Sequence, residues 1–512
     1  MNSEFANAWA LLPNYLSAHV ALSAAALGIG IAISLPLAVL AARSERVRWV
    51  ALAIASLIQT IPSLALLALF YPVLLALSAL TLKAFGLAIP ALGFVPSLLA
   101  LTLYSMLPIL RNAVAGLTGL DPAVIEAANG VGMTPSQRLW QIEAPLAAPV
   151  AMAGIRTAAV LTIGTATLST PVGQTSLGNY IFAGLQTENW VYVLFGCGAA
   201  AVLALVTDQL LGLIETGLAK RSRVRIVAGA LGLAIGTVAA LVPMFASSSA
   251  RYVIGAKNFS EQFILAELMA ARLKAQGSAV EQKTGLGSAV IFRALAAGDL
   301  DVYVDYSGTL WTNVLGRIDT PPREELTAEL GRELKRRYGV EMLGALGFEN
   351  AYVLAMKADR AKSLGITDIA ALVPTASRLT LGADLEFLSR PEWAALRRAY
   401  GLQFKAENSF NPTFMYRALQ GGQADVISAF SSDGRIAADS LTVLGDPRRA
   451  IPPYDAVILI SPRRANDATL IAALKPLVGA ISVDAMRKAN LMVDRDTDKL
   501  SPAAAAATLL PR

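Results

Sequence analysis

The sequence predicts two fold classes joined end to end. The first is an all-α membrane domain of about six transmembrane helices. The second is a two-lobed α/β domain. Three observations carry this reading. Of 43 Lys and Arg residues, 11 fall in the first 250 positions, and of 37 Asp and Glu residues, 8 do. With a mean hydropathy of +0.54 over 512 residues, a first half so poor in charge reads as bilayer-embedded. Apolar runs long enough to cross a membrane recur at 18–42, 50–80, 92–117, 146–170, 190–216 and 225–247. Beyond Tyr252, short β-branched runs alternate with amphipathic helices, which is the α/β pattern.

The polar groups at the chain start, Asn2, Glu4 and Asn7, precede the first apolar run, so no cleavable signal peptide is expected. Pro62 and Pro72 interrupt the second run, with Lys83 just beyond it. Membrane helices tolerate proline where neighbours satisfy the freed carbonyls. Arg43, Arg46, Arg48, Arg111, Arg138, Lys220, Arg221, Arg223 and Arg225 all share one side if there are six spans. That side is cytoplasmic by the excess of basic residues. The N-terminus and everything after about 248 then lie outside. Five spans would break this pattern.

Several functions are disfavoured. Neither half carries a basic stripe, so no nucleic-acid partner is expected. His19 and Cys197 are each the only residue of their kind. No disulfide, metal cluster or Ser/His/Asp set can be built from them, and no catalytic residue is assigned. No GxxxxGK[ST] phosphate loop is present, so no nucleotide cofactor is expected on this chain.

The stretch from Glu126 to Pro149, EAANGVGMTPSQRLWQIEAPLAAP, is too polar for its surroundings. Asp121-Pro122 offers a cap and a first helical residue for Ala123 to Ala128. Gly130 and Gly132 allow a turn. Thr134-Pro135 starts a second short helix over Ser136 to Glu143, which Pro145 ends. Such a cytoplasmic hairpin either docks on a partner or is an ordinary interfacial loop. Glu126, Ala127, Ala128, Gly132, Ile142 and Pro145 stand at the spacing of the EAA loop of ABC importer permeases, which this stretch resembles. Ala144 departs from the leucine frequent there. The resemblance implies a type I permease domain over 1–248, in membrane lipid. It implies a coupling loop at 121–149 seated on a separate cytoplasmic ATPase subunit. Two copies of the permease domain would form the pathway.

In the second half, YVIGA, DVYVDY, LTLGA, ADVISAF and AVILIS read as strands. Glu261 to Gln276 and Gly285 to Ala297 read as helices, and parallel sheets are expected. Ligands of such folds bind beyond strand ends. Loops there carry aromatic and polar groups together: Lys257 to Gln262, Asp305 to Thr309, Phe348 to Tyr352, Phe430 to Asp433 and Pro452 to Asp455. Aromatic faces around one pocket would cage a quaternary ammonium, at roughly 1–2 kcal/mol per contact.

These stretches resemble the substrate-binding proteins of glycine betaine/carnitine/choline importers, with ergothioneine importers as relatives. KNFSEQFILAE, DVYVDYSGT, GFENAYVLAM, FLSRPEWAALRRAYGL, MYRALQGGQADVISAFSSDGRI and PPYDAVILI carry the likeness. It implies a Venus-flytrap domain over 251–512, with one lobe at 251–357 plus 455–512 and the other at 358–454. It implies cage faces from Tyr352, Tyr454 and Phe430; the last stands where relatives often have tyrosine. Asn350, Thr309 and Gln262 would hydrogen-bond solute, and Ser431 would line the site. Tyr306 and Phe259 either line the cleft or pack beneath it. Arg435 either holds a substrate carboxylate or braces its loop through Asp433. Trp311 either stacks on a ligand ring or belongs to the core.

The expected function follows: a membrane subunit of an ATP-driven importer that binds and translocates a quaternary-ammonium or betaine-type solute. The alternatives are an ergothioneine importer and a membrane-anchored solute sensor. The expected location is the cytoplasmic (inner) membrane, multi-pass, with the C-terminal domain outside the cytoplasm, or periplasmic in a Gram-negative cell.

Overall fold

The structure, a computed structural model, describes residues 2–85, 93–187, 189–246, 252–410, 412–495 and 497–509. The expected span ends at 92 and 247, and the junction at 248–251, lie outside these residues. The chain divides into two compact units, Met1–Phe182 with Val191–Ser248, and Ala183–Trp190 with Ser249–Arg512.

The first unit is helical. Helix α1 (Asn2–Arg43) begins well before the expected first span and ends within one residue of it. The expected second span is divided between helices α2 (Glu45–Thr60) and α3 (Ser63–Phe85). The break falls at Ile61, whose extended backbone (φ −73°, ψ 126°) precedes Pro62. A residue before proline is driven out of the helical region. Then follow α4 (Phe94–Thr118), α5 (Pro122–Gly130), α6 (Pro135–Arg138), α7 (Ala144–Ala166), α8 (Gly178–Gln186), α9 (Trp190–Ala219) and α10 (Arg223–Ala246). Among the described residues five helices are long and apolar enough to cross a membrane, or six if the bent α2–α3 pair is one span. Helices α1, α4 and α7 form the packed centre. Gly154 brings α7 onto α4, since a Cβ there would stand 2.6 Å from the Pro108 carbonyl. Small residues allow such approach in membrane bundles.

The expected caps form. Asp121 accepts from Ala123 N–H at 2.9 Å, and Thr134 with Gln137 closes a capping box. Pro145 does not end the second helix. Residues Leu139–Glu143 form a π turn that passes directly into α7. Pro145 lies in the first turn of α7, where a missing N–H is tolerated.

Glu143, buried at 5% exposure, fastens this region. It accepts from Arg43 at 2.5 Å and from Arg138 at 2.7 Å, and Arg138 also reaches Asn129 at 2.8 Å. One carboxylate thus ties the end of α1 to both short helices. His19 is likewise structural: Nδ1 accepts from Leu177 N–H and Nε2 meets the Ile163 carbonyl.

The second unit holds two five-stranded sheets. The strands are β1 (Tyr252–Lys257), β2 (Val280–Leu286), β3 (Val302–Tyr306), β4 (Glu341–Glu349), β5 (Tyr352–Lys357), β6 (Thr380–Ala383), β7 (Ala406–Ser409), β8 (Val426–Phe430), β9 (Leu441–Leu444) and β10 (Asp455–Ile460). The sheet orders are β2-β1-β3-β10-β4 and β7-β6-β8-β5-β9. Three expectations are corrected. The sheets are mixed: β10 runs antiparallel to β3 and β4, and β5 antiparallel to β8 and β9. These are the strands that enter straight from the other lobe, without the helical crossover that keeps neighbours parallel. Strand β5 belongs to the second sheet, so the chain changes lobes between Glu349 and Tyr352, ahead of the expected boundary at 357. The helix expected from Gly285 begins at Ser288, because Val280–Leu286 pairs as strand β2 with β1.

Replacing Glu143 with Ala leaves Arg43 and Arg138 without their shared acceptor. The full chain in detergent should lose about 1–3 kcal/mol of stability, read as a lower melting temperature. An unchanged melt would show that this clamp is not needed.

Candidate solute-binding site

The site grows from the places where the chain changes lobes. Tyr352 opens β5 and stands directly opposite Phe430, which closes β8. Their rings lie 4.9 Å apart. Tyr454 meets Tyr352 edge to face at 6.0 Å, and Phe430 stacks on Phe259 at 6.0 Å. Phe259 in turn stacks on Tyr306 at 6.2 Å. Five aromatic residues from both lobes therefore form one contiguous cluster. Edge-to-face and offset contacts at such distances are favourable. Gly308 makes room for it, since a Cβ there would stand 2.4 Å from the Tyr454 ring.

Arg390 and Glu392 completed this cluster unnoticed in the sequence. The Arg390 guanidinium lies over the Tyr352 ring, 5.1 Å from its centre. Its Nη2 donates to Thr309 at 3.1 Å and reaches the Tyr454 hydroxyl at 3.5 Å. It pairs with Glu386 at 2.6 Å and Glu392 at 3.3 Å. Glu392 accepts from the Tyr454 hydroxyl and, at 2.8 Å, from Thr312. Burial pushes the Glu392 carboxyl up, but Arg390 and Tyr454 outweigh it and hold it below its ordinary value. The Arg-Pro-Glu run at 390–392 was visible; what it touches was not.

The remaining predicted residues divide. Gln262 donates to the Val304 carbonyl and the Tyr306 hydroxyl, both at 3.0 Å, and so braces Tyr306. The Ser431 hydroxyl accepts from Ala351 N–H at 2.9 Å and fastens the crossing chains. Arg435 pairs with Asp433 at 2.8 Å and stacks on Tyr416 at 4.0 Å, which is the loop-bracing arrangement. Trp311 is fully buried and donates to the Asp319 carbonyl at 2.8 Å, placing it in the core. Asn350 turns its amide to Glu261 at 2.9 Å.

Glu261 stood in the loop Lys257 to Gln262, but its part in the site was not visible in the sequence. It is buried at 3% exposure. It accepts from Tyr306 at 2.6 Å, Asn350 at 2.9 Å, Ser432 at 2.6 Å and Asn490 at 2.8 Å. Burial raises its carboxyl above the ordinary value, and these four donors oppose the rise. Residues of both lobes and of the crossover thus share one carboxylate.

On the first unit, Glu126 and Ala127 are exposed and Ala128 is buried. Gly132 takes φ +77°, the left-handed region that favours glycine. Ile142 lies in the π turn. Val131 and Trp140 project from the same loop with 76% and 71% exposure.

A bundle of apolar helices and a two-lobed binding domain on one chain define a membrane-and-binding subunit of an ATP-driven solute importer. The chain belongs to the family of the substrate binding domain of ABC-type glycine betaine transport systems, matched over residues 250–510. Residues 34–220 match the inner membrane component of binding-protein-dependent transport systems. Among similar proteins, an ergothioneine transport permease/ergothioneine binding protein of Helicobacter pylori (strain G27) is 28% identical over 438 residues. The match covers 81% of this chain and 75% of that protein. A choline transport system permease protein of Bacillus subtilis (strain 168) is 39% identical over 197 residues, covering 38% of this chain and 83% of its own. A solved structure described as a glycine betaine/carnitine/choline ABC transporter is 25% identical. It covers 50% of this chain and 96% of that one, at a TM-score of 0.44. The chain is a multi-pass inner-membrane transport component rather than a catalyst, and importers of this class work with a partner ATPase.

Glu261→Ala would strand four buried donors at once. Its cost in the full chain should exceed about 3 kcal/mol; equal melting of the variant and the parent would contradict the role given to this carboxylate.

Proposed function

We infer that the second unit lies outside the cytoplasm and captures a small quaternary-ammonium or betaine-type solute. The carrying observation is the guanidinium of Arg390 on the Tyr352 ring, inside a cluster of five aromatic residues. A weakly hydrated cation is already stable on that face. A trimethylammonium group presents the same chemistry to Tyr352, Phe430 and Tyr454, with Phe259 and Tyr306 behind. Thr309 and Arg390 are placed to meet a carboxylate on the same solute. Two copies of the first unit form the pathway. The loop from Glu126 to Pro145 couples them to the ATPase, with Val131 and Trp140 as its apolar contacts. Ergothioneine is the second reading of the cargo. It is favoured by the relative whose match extends over 81% of this chain.

Titration calorimetry on the full chain in nanodiscs tests the cargo. Glycine betaine, choline, carnitine, proline betaine and ergothioneine would be compared with histidine and proline. One methylated ammonium should bind, and Tyr352→Ala should weaken it about tenfold or more. Binding of an unmethylated amino acid alone would refute the cage. For coupling, Val131→Asp should leave that affinity unchanged and abolish ATP-driven uptake in the assembled transporter. Undiminished uptake would remove the loop from the contact with the ATPase.

A further inference from the structure

Next to the aromatic cluster lies a small cavity of about 40 Å³. It shares Phe259 and Phe430 with that cluster but none of the tyrosines. Its polar lining includes Glu261, Asn350, Asn490, Asp494 and Ser260. Two buried oxygens in this lining, Asn350 Oδ1 and Asn490 Oδ1, have no hydrogen-bond partner. The amide orientations are fixed by the other ends of the side chains. Asn350 Nδ2 donates to Glu261, and Asn490 Nδ2 donates both to Glu261 and to the Ser432 carbonyl. A buried acceptor left alone costs on the order of 1–3 kcal/mol, so two in one cavity call for an occupant.

The donors around the cavity are already committed. Ser260 donates to Asp494 at 2.5 Å, Ser432 to Glu261 at 2.6 Å, and Arg435 to Asp433 at 2.8 Å. What remains is oxygen acceptors beside the carboxylates of Glu261 and Asp494, with Asp433 balanced by Arg435. A water molecule could donate to both amide oxygens, but the Ser260 and Ser432 hydroxyl hydrogens are already spent on carboxylates and do not meet its lone pairs. A cation needs acceptors only. Among the described residues no three His, Cys, Asp or Glu side chains are arranged to hold a metal ion. That points away from divalent and transition ions, which favour several charged or imidazole ligands. The volume admits one small ion, with space for a water.

We propose that this cavity binds a small monovalent cation, with sodium as its probe, held by Asn350 Oδ1, Asn490 Oδ1 and the Asp494 carboxylate, next to the fully hydrogen-bonded Glu261. The site joins the helices Ser260–Ala275 and Val483–Asp494 to the lobe crossover at Asn350. It does not depend on the identity of the transported solute. Burial, joined by the neighbouring Asp433 charge, holds the Asp494 carboxyl up at about 6 against the pull of Arg435.

The test uses the full chain in nanodiscs without solute. Melting is followed in sodium chloride and in N-methyl-D-glucamine chloride at equal ionic strength, and binding of radioactive sodium is measured directly. Sodium should raise the melting temperature by at least about 3 °C, and sodium binding should saturate. Asp494→Asn keeps the shape and the Ser260 contact while removing charge. It should abolish both effects and, without sodium, melt no lower than the parent. If Asp494→Asn fails to fold, Ser260→Ala serves instead: it frees Asp494 and should tighten sodium binding severalfold. Equal melting in the two salts with no saturable sodium binding would overturn the proposal and leave the cavity to water. A sodium effect that survives in Asp494→Asn would also overturn it, by placing the ion elsewhere. Neither result depends on whether a methylated ammonium binds the aromatic cluster.

Discussion

A buried carboxylate met by four neutral donors lies within the binding domain. Removing such a charge from water costs several kcal/mol, and only a full set of donors makes it tolerable. Glu261 has that set, but its donors come from separate parts of the chain: Tyr306 at the end of β3, Asn350 in the crossover, Ser432 beyond β8 and Asn490 on a C-terminal helix. All four segments must arrive together before the charge is satisfied. The lobe crossover is therefore defined by one oxygen pair. The aromatic cluster inherits that definition, because Tyr306 and Phe430 lie on the elements so fixed.

Arg390 extends the same logic across the cleft. Its partners Thr309 and Tyr454 belong to one lobe, while Tyr352 and Glu392 belong to the other. Hydrogen bonds in a low-dielectric setting polarise one another, so a fully satisfied network specifies geometry more sharply than rings alone. The rings supply area and a negative face; the network decides how far apart they stand.

What the sequence made legible was local. The caps at Asp121 and Thr134 depend on residues two or three positions away, and both formed. The aromatic residues were found because strand ends are marked by turn residues and a change of period. The break in the second span and the continuity through Pro145 depend on which carbonyls lose a partner. That is settled by where each proline falls relative to its helix, Pro62 after an extended Ile61 and Pro145 in the first turn of α7, so the two prolines had opposite outcomes. Glu143, Glu261 and Arg390 escaped for a related reason. Each looks like an ordinary helix or loop charge until partners some 40 to 230 positions distant close around it. The direction of β10 was hidden in the same way: an AVILIS run does not say from which lobe its strand arrives.

The π turn at Leu139–Glu143 has a mechanical meaning. It lets α6 and α7 continue one another, so that Pro135–Val172 forms a single rod of 38 residues. At about 1.5 Å per residue this approaches 57 Å, well beyond the ~30 Å hydrocarbon thickness of a bilayer. A rod without a joint cannot absorb a stroke applied at one end; it must tilt, slide or rotate as a whole. Along this rod the ladder changes step at the widened turn, beside the Glu143 clamp, and again at the tighter turn Thr167–Val172. In the proposed coupling role, a push on the loop would be delivered as leverage on the packed centre of the membrane unit, with its fulcrum where Arg43, Arg138 and Glu143 meet.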